Sequence, residues 1–228
     1  MDNKLRILYV TSEIDPFLEL TEIATLIRKL PQSMQERGME VRILMPKFGT
    51  INERKNRLHE VVRLSGINIT VGNEEKPLII KVASIPSAKM QVYFIDNEDF
   101  FHRKAVFKDK KTEEYFEDND ERAIFFCKGV IETVKKLGWA PDIIHCSGWM
   151  SGLLPVYVKE AHKNAPLFQD SKVIYTVFKT DFDQKFEDEL AKKAVVRGTD
   201  ISMYSELETE SVAGFVKMGV KHAAVVVT

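Results

Sequence analysis

The start of the chain carries the pattern that most restricts the fold. Residues 5–10 (LRILYV) form an unbroken apolar run with β-branched and aromatic members, typical of a strand buried on both faces. Over residues 21–37 the apolar positions recur every three or four residues, which predicts a helix with one apolar face. Gly38 ends that helix, and residues 41–45 (VRILM) form a second strand before Pro46. This order predicts a right-handed βαβ unit, the building block of parallel sheets.

Two stretches interrupt the alternation of strand and helix. Residues 58–96 predict strands joined by turns at Gly72-Asn73 and around Pro86-Ser87, which indicates a small β-rich insertion between βα units. Residues 102–121 are dense in charges of both signs and lack an apolar period. We therefore favour a solvated, mobile loop there over a binding tail.

The alternation returns beyond this loop. Helices are predicted over residues 122–137, 153–162 and 206–218, and strands over residues 142–145, 173–178 and 223–227. Alternating elements predict an α/β fold: a Rossmann-like, doubly wound, mostly parallel sheet with helices on both faces. Its central strands should include residues 5–10, 41–45, 142–146 and 173–177.

Composition excludes several classes of protein. The 228 residues suffice for one large α/β domain, and the net charge of -1 gives no electrostatic reason to expect nucleic acid or an anionic membrane as partner. Cys127 and Cys146 form no CxxC motif, so neither a disulfide scaffold nor a zinc site is expected. With no signal-peptide cleavage pattern, and no apolar run near the ~18–20 residues of a membrane span, we expect a cytoplasmic protein.

Cofactor motifs are missing where this fold usually carries them. The turn after the first strand, residues 11–17 (TSEIDPF), contains no glycine, so backbone cannot approach a pyrophosphate closely and NAD or FAD is not expected. No Walker A lysine loop, GxSxG elbow, HExxH or EF-hand loop occurs. We expect neither a cofactor nor a metal.

Short motifs follow one another in a fixed order along nearly the whole chain. They include residues 10–13 (VTSE), 16–17 (PF), 45–46 (MP), 141–145 (PDIIH) and 215–219 (FVKMG). The series resembles the N-terminal catalytic domain of bacterial glycogen synthases and plant starch synthases, glycosyltransferases with the two-domain GT-B architecture. Residues 1–228 then correspond to a single N-terminal domain of Rossmann type, incomplete at its C-terminus, and we expect the C-terminal GT-B domain to be absent.

The resemblance implies an activity and its ligands. Members of this family transfer glucose from a nucleotide-glucose, typically ADP-glucose, to the end of an α-1,4-glucan, with retention and without a required metal. The N-terminal domain supplies groups on the acceptor side, and most donor contacts come from the second domain. We therefore consider a glucan or sugar as ligand, and a homo-oligomer or other partner on the face that the second domain would cover.

The first family site is altered in this sequence. The family reads KTGGL where residues 19–23 read ELTEI, so Glu19 replaces a phosphate-binding lysine and Glu22 replaces a glycine. Like charges near a diphosphate repel it, which argues against ADP-sugar binding. An ordinary helix start explains the same residues, with Thr21 as N-cap and Glu22 in the first turn.

Two further family sites differ in other ways. The family's HCHDWQTGL reads HCSGWMSGL over residues 145–153, and its TIHN reads TVFK over residues 176–179. We interpret the retained His145 and Trp149 as structural. Cys146 is not expected to act as a nucleophile, because adjacent strand residues point to opposite faces. No residue is predicted to be catalytic, and the candidate cleft residues are Glu13, Glu19, Ser147, Gly148, Trp149, Met150, Phe178 and Lys179.

Three functions remain open. The first is a domain that is catalytically inactive alone and acts as a binding or regulatory module linked to glucan metabolism. The alternative is a fragment of an ADP-glucose-dependent glucosyltransferase that needs a separate C-terminal domain. The third is a structural subunit of a homo-oligomer without a ligand. A set of apolar side chains expected at the cleft either forms an exposed interface or ligand site or fills the cleft: Phe17, Trp149, Met150, Phe178 and Phe182.

Overall fold

The computed structural model describes residues 4–85, 88, 90–180, 182–186 and 189–228. Within these ranges the chain forms nine strands. They are β1 (Arg6–Thr11), β2 (Glu40–Pro46), β3 (His59–Glu60), β4 (Ile67–Val71), β5 (Glu74–Ile85), β6 (Met90–Asp96), β7 (Ile143–Ser147), β8 (Lys172–Thr176) and β9 (Val225–Val227).

Helices of varied length connect the strands. They are α1 (Glu22–Glu36), α2 (Glu53–Asn56), α3 (Glu98–Phe101), α4 (Asn119–Leu137), α5 (Leu154–Val156), α6 (Leu190–Ala194) and α7 (Val212–His222). A wider π-helical turn, Tyr157–Ala161, continues α5, and single 3-10 segments cover Val62–Leu64, Trp149–Ser151 and Ile201–Thr209. In the part of the chain described, no helix has the length and apolar character to span a membrane.

The predicted α/β sheet is confirmed. The strand order is β3-β5-β6-β2-β1-β7-β8-β9, with β4 paired to β5. Strands β6, β2, β1, β7, β8 and β9 pair in parallel, and the central strands lie within one residue of their predicted positions. Consecutive residues of β1 are buried from Ile7 to Val10, so both faces of the sheet are covered.

The β-rich stretch widens this sheet and does not form a separate unit. β6 pairs with β2 in parallel, β5 is antiparallel to β6, and β3 and β4 are both antiparallel to β5. The predicted turn at Gly72-Asn73 is present, and Gly72 adopts a φ of 57° that favours glycine. The turn expected around Pro86-Ser87 lies outside the described residues.

The prediction of one helix over residues 206–218 is wrong. The 3-10 segment ends at Thr209, Glu210 takes a left-handed conformation with φ 44°, and α7 starts only at Val212. Tertiary pairing explains the break, because the Phe186 N–H donates to the Glu210 carbonyl at 2.7 Å. Ser211 is extended, with φ -151° and ψ 167°, and forms an antiparallel bridge with Lys185, which a continuous helix would prevent.

The prediction of a solvated loop over residues 102–121 is also wrong, both for its apolar residues and for its C-terminal end. Ala105 is buried, and Phe107 packs edge-on against Phe48 with ring centroids 5.7 Å apart. Helix α4 begins at Asn119, inside the predicted loop, and Asn119 is fully buried. We call residues 102–118 the charged loop, and its apolar part packs onto the core beside the cleft.

Candidate functional site

A pocket of about 320 Å³ lies where β1, β7 and β8 end and α1 begins. In open α/β sheets this carboxyl-end crevice is the usual ligand site. Five of the candidate residues line the pocket: Glu13, Gly148, Trp149, Phe178 and Lys179. Glu19, Ser147 and Met150 are not part of its wall.

Glu13 occupies the backbone donors that lead into α1. Its Oε2 accepts from the N–H groups of Leu20 and Thr21 at 2.6 and 2.8 Å, and its Oε1 accepts from the Thr21 hydroxyl at 2.7 Å. The predicted N-cap is confirmed, because Thr21 Oγ1 accepts from the Ile23 N–H at 3.2 Å. Glu13 therefore fixes the entry into α1, and Thr21 takes one of the free N–H groups of the first helical turn.

Two more carboxylates lie near this helix end. Glu19 is exposed in the segment before α1, and Glu22 is exposed in its first turn. Glu13 itself is only 2% exposed. Carboxylates stabilise a helix N-terminus, but three of them make this end repulsive to a second anion.

Aromatic rings form the wall of the pocket opposite Glu13. Trp149 is buried and stacks on Phe182, with centroids 5.0 Å apart and an interplanar angle of 17°. Phe107 lies 5.5 Å from Trp149 and 4.9 Å from Phe182. Phe178 lines the same pocket and is half-buried. The wall therefore offers large apolar ring surfaces next to a few polar groups, the usual character of a small-molecule site.

The end of β7 has a structural role. His145 Nε2 lies 2.8 Å from Thr176 Oγ1, and burial lowers the pKa of the imidazole, so the ring is neutral at neutral pH. Gly148 has φ 79°, and a Cβ there would meet Ile23 Cδ1 at 3.2 Å, so this turn requires glycine. Ser147 is fully buried, and its hydroxyl has no hydrogen-bond partner among the described residues.

The two cysteines belong to the core. Cys146 is fully buried, and burial raises its pKa well above the ordinary value of a thiol, which keeps it protonated. Cys127 donates to the Met150 carbonyl at 3.0 Å, and Met150 is only 1% exposed. Neither thiol has the exposure or the partner that nucleophilic catalysis needs. Within the described ranges, no group of three or more His, Cys, Asp or Glu side chains could hold a metal.

The expectation for the apolar cleft residues divides between its two alternatives. Phe17 packs edge-on against Phe94 at 5.1 Å, and Trp149 and Met150 are buried, so these three fill the chain's own interior. Phe178 and Phe182 are half-buried and remain at the pocket. The alternative in which all five side chains form an exposed patch is therefore wrong.

Sequence reasoning missed several residues of the site. Phe107 was missed because the stretch around it is rich in charged residues. The short apolar run Ala105-Val106-Phe107 was the signal that could have indicated it. Asn119 belongs to a family-like run, residues 118–122, but nothing local indicated its contact with Gln184, which lies 65 residues away in the sequence.

Comparisons with known proteins identify the relatives of this domain. The family model of the starch synthase catalytic domain matches residues 6–228. A glycogen synthase of Chlorobium limicola is 44% identical over 172 residues, which is 75% of this chain and 35% of that protein. A glycogen synthase of Chlorobaculum tepidum is 38% identical over 224 residues, which is 98% of this chain and 45% of that protein.

A solved structure has the same fold. The catalytic domain of starch synthase IV from Arabidopsis thaliana, bound to ADP and acarbose, superposes with a TM-score of 0.77 at 17% identity. The match covers 98% of this chain and 44% of that structure. The chain thus spans less than half the length of the proteins it matches, and at this identity the structural likeness shows the fold alone.

Proposed function

Because this chain belongs to the starch synthase catalytic domain family, we propose that it is a glycosyltransferase-type domain that keeps a sugar site and has lost nucleotide-sugar chemistry. By itself it acts as a binding or regulatory module of glucan metabolism. The observation that supports this most is the exposed Glu19 before α1, a carboxylate where the family has its phosphate-binding lysine.

Loss of the nucleotide follows from charge. A diphosphate needs positive charge and free N–H donors at a helix N-terminus. Glu19 stands where the family has its lysine, and Glu22 stands where it has a glycine. Both carboxylates are exposed at the start of α1, so a diphosphate there would meet two like charges, which makes binding unfavourable.

Retention of a sugar follows from the opposite wall. Phe178 and Phe182 are half-buried and offer ring surface, and Ser12, Thr180 and Lys179 offer hydrogen-bonding groups around them. A volume of about 320 Å³ lies within the range of small-molecule pockets, about 300–1,000 Å³. The structural relative holds both ADP and acarbose. Our proposal is that this chain binds the second kind of ligand without the first.

Trp149 fluorescence tests the proposal directly. The chain has two tryptophans, and Trp139 lies at the other end of the sheet, where its Nε1 donates to Glu40 at 2.6 Å. Trp139→Phe removes that signal, at a cost of about 1–3 kcal/mol for one hydrogen bond and part of a buried ring. In this background we expect acarbose to change Trp149 emission in a saturable manner, and ADP at the same millimolar concentrations to leave it unchanged.

Phe178→Ala is the matched binding control, because it removes a pocket ring outside the Trp149 ring cluster. It should weaken the acarbose response several-fold, by about 1 kcal/mol for part of one apolar contact. Saturable quenching by ADP, with no response to acarbose, would overturn the proposal.

A second candidate function has its own support. The likeness to the starch synthase structure extends over 98% of this chain, as expected of one half of a working enzyme. In this alternative the domain transfers glucose from ADP-glucose together with a C-terminal GT-B domain. The two functions differ in whether glucose transfer can occur with Glu19 and Phe178 in place. A chimera with the remaining part of a related enzyme distinguishes the two functions.

Self-association through the same face would need more apolar surface than remains. The exposed or half-exposed apolar side chains at the pocket mouth include Leu20, Phe178 and Phe182. A stable interface buries about 800 Å² per partner, whereas a whole aromatic side chain buries about 150–250 Å². We therefore expect no self-association through this face, so that Leu20→Ser with Phe178→Ser leaves the sedimentation velocity at tens of micromolar unchanged. A dimer that Leu20→Ser with Phe178→Ser abolishes would instead establish this face as an interface.

A further inference from the structure

Three buried polar side chains lie between the two loops that wall the pocket. We propose that Asn119, Arg122 and Gln184 form a positioning network that holds Phe107 and Phe182 against Trp149 and so sets the shape of the pocket. One loop is the charged loop, residues 102–118. The other follows β8 and comprises residues 177–180 and 182–186, and we call it the β8 loop.

Asn119 is the centre of the network. Its Nδ2 donates to the Phe107 carbonyl at 2.9 Å and to Gln184 Oε1 at 2.8 Å. Its Oδ1 accepts from Arg122 Nη1 at 2.6 Å. Asn119 is fully buried at the start of α4, so one side chain on a rigid helix contacts both loops.

Arg122 fixes the backbone of the charged loop. Its Nη1 donates to the Val106 carbonyl at 2.6 Å, and its Nε donates to the Phe100 carbonyl at 2.7 Å. The guanidinium is fully buried, and the rings of Phe48, Phe101 and Phe116 surround it at 5.4–5.6 Å.

This buried charge requires compensation. Burial lowers the pKa of Arg122 to about 10, so the side chain is still charged at neutral pH. The Asp118 charge favours the charged form of Arg122, but the ion pair of Asp118 is with Arg103. A buried charge costs free energy unless hydrogen bonds satisfy it. Loop carbonyls and Asn119 satisfy Nε and Nη1 of Arg122, while Nη2 has no hydrogen-bond partner among the described residues. The charge is thus used to hold the loop in place.

Gln184 joins the β8 loop to the charged loop. Its Oε1 accepts from Asn119, and its Nε2 donates to the Phe116 carbonyl at 2.8 Å. Over the described part of the chain, these are the hydrogen bonds that link the β8 loop to the charged loop and its junction with α4. The Gln184 backbone is held separately, because its carbonyl accepts from the Val212 N–H at 3.2 Å. The side chain can therefore be changed while the backbone stays anchored.

The network reaches the pocket through the rings of Phe107 and Phe182. Val106 and Phe107 carry the carbonyls that it holds, and Phe107 lies against Trp149 and Phe182. Phe182 is two residues from Gln184 in the β8 loop. Without the network, ring packing alone would keep the loops together, and ring contacts fix position less strictly than directional hydrogen bonds do. The inference that the network also governs sugar binding rests on the proposed function, whereas its effect on Trp149 does not.

The test combines one loop variant with a matched control, both in the Trp139→Phe background. Gln184→Met keeps the size of the side chain and removes its two hydrogen bonds. Thr133→Val removes a buried hydroxyl from the same α4, where Thr133 donates to the Gly129 carbonyl at 2.7 Å and forms no hydrogen bond to either loop. Acrylamide quenching of Trp149, thermal unfolding and acarbose titration are measured for each.

We expect Gln184→Met to raise the quenching constant of the buried Trp149 about two-fold or more, through local opening of the loops. Thr133→Val should leave that constant unchanged. Unchanged quenching in Gln184→Met, or an equal rise in Thr133→Val, overturns the network. If quenching rises in Gln184→Met alone, the network stands. In that case, absence of any acarbose response even in the parent protein rejects the proposed function and leaves the network intact.

Discussion

Glucose transfer from ADP-glucose is expected to fall to background when residues 6–228 replace the matching segment of the Chlorobaculum tepidum glycogen synthase. That segment covers 45% of the relative, so the chimera supplies the rest of the enzyme. Among the altered family positions, Glu19 replaces a lysine and Phe178 replaces a histidine. Losing one preorganised contact costs about 10²–10³-fold in rate, so two independent losses lower it by about 10⁴-fold or more. Labelled-glucose incorporation into glycogen measures the result.

A second chimera distinguishes a lost site from a poor domain fit. Glu19 is exposed and Phe178 is half-buried, so Glu19→Lys with Phe178→His should be accommodated without repacking the core. The reverted chimera should gain about 10²-fold or more over the unreverted one. Ser147 and Gly148 are left unchanged, because Ser147 is fully buried and Gly148 requires its φ of 79°. If the unreverted chimera works within tenfold of the parent enzyme, the chain is a competent half-enzyme and our proposal is wrong.

The parts of the fold that were predicted correctly depend on local patterns. β1 was predicted from an unbroken apolar run, and it is buried on both faces as such a run implies. The start of α1 was predicted from Thr21 and Glu22, and the Thr21 cap is present. In each case the signal lies within a few residues of the element that it describes.

The parts that were missed depend on contacts between distant segments. The break at Glu210 follows from pairing with residues 184–186, which no local pattern encodes. The buried part of the charged loop depends on Arg122 and on Gln184, which reaches Phe116 across 68 residues. Exposed lysines and glutamates dominate the composition of such a loop, so a prediction from composition misses its few buried residues.

The location of the candidate residues was easier to predict from the sequence than the contacts that each of them makes. The crevice at the strand ends collects Glu13, Gly148, Trp149, Phe178 and Lys179, as an open parallel sheet implies. The sequence did not indicate that Glu13 would cap the approach to α1, because that contact depends on how residues 14–20 turn back. It also did not indicate that Met150 would point into the core, where it is 1% exposed.

Trp149→Ala should destabilise the protein more than substitution of a typical ligand-contacting residue would. Trp149 is 7% exposed and lies within 5.0–6.4 Å of the rings of Phe107, Phe182, Phe186 and Phe215. Removing a buried tryptophan from such a cluster costs about 3–5 kcal/mol, from lost burial and from the cavity left behind. The free energy of unfolding in urea measures this loss, and the melting temperature should fall by about 2–4 °C for each kcal/mol.

Phe178→Ala is the comparison that gives this measurement its meaning. Phe178 lines the same pocket but is half-buried and lies outside the Trp149 ring cluster, so its loss should cost less than about 1.5 kcal/mol of stability. Phe178→Ala should instead affect binding: it weakens the acarbose response while the protein stays folded at room temperature. Equal, small stability losses for both variants would mean that Trp149 is a surface residue of an open cleft. A large loss for Trp149→Ala alone means that the chain has used this aromatic residue to fill part of its own cleft, leaving Phe178 to face the ligand.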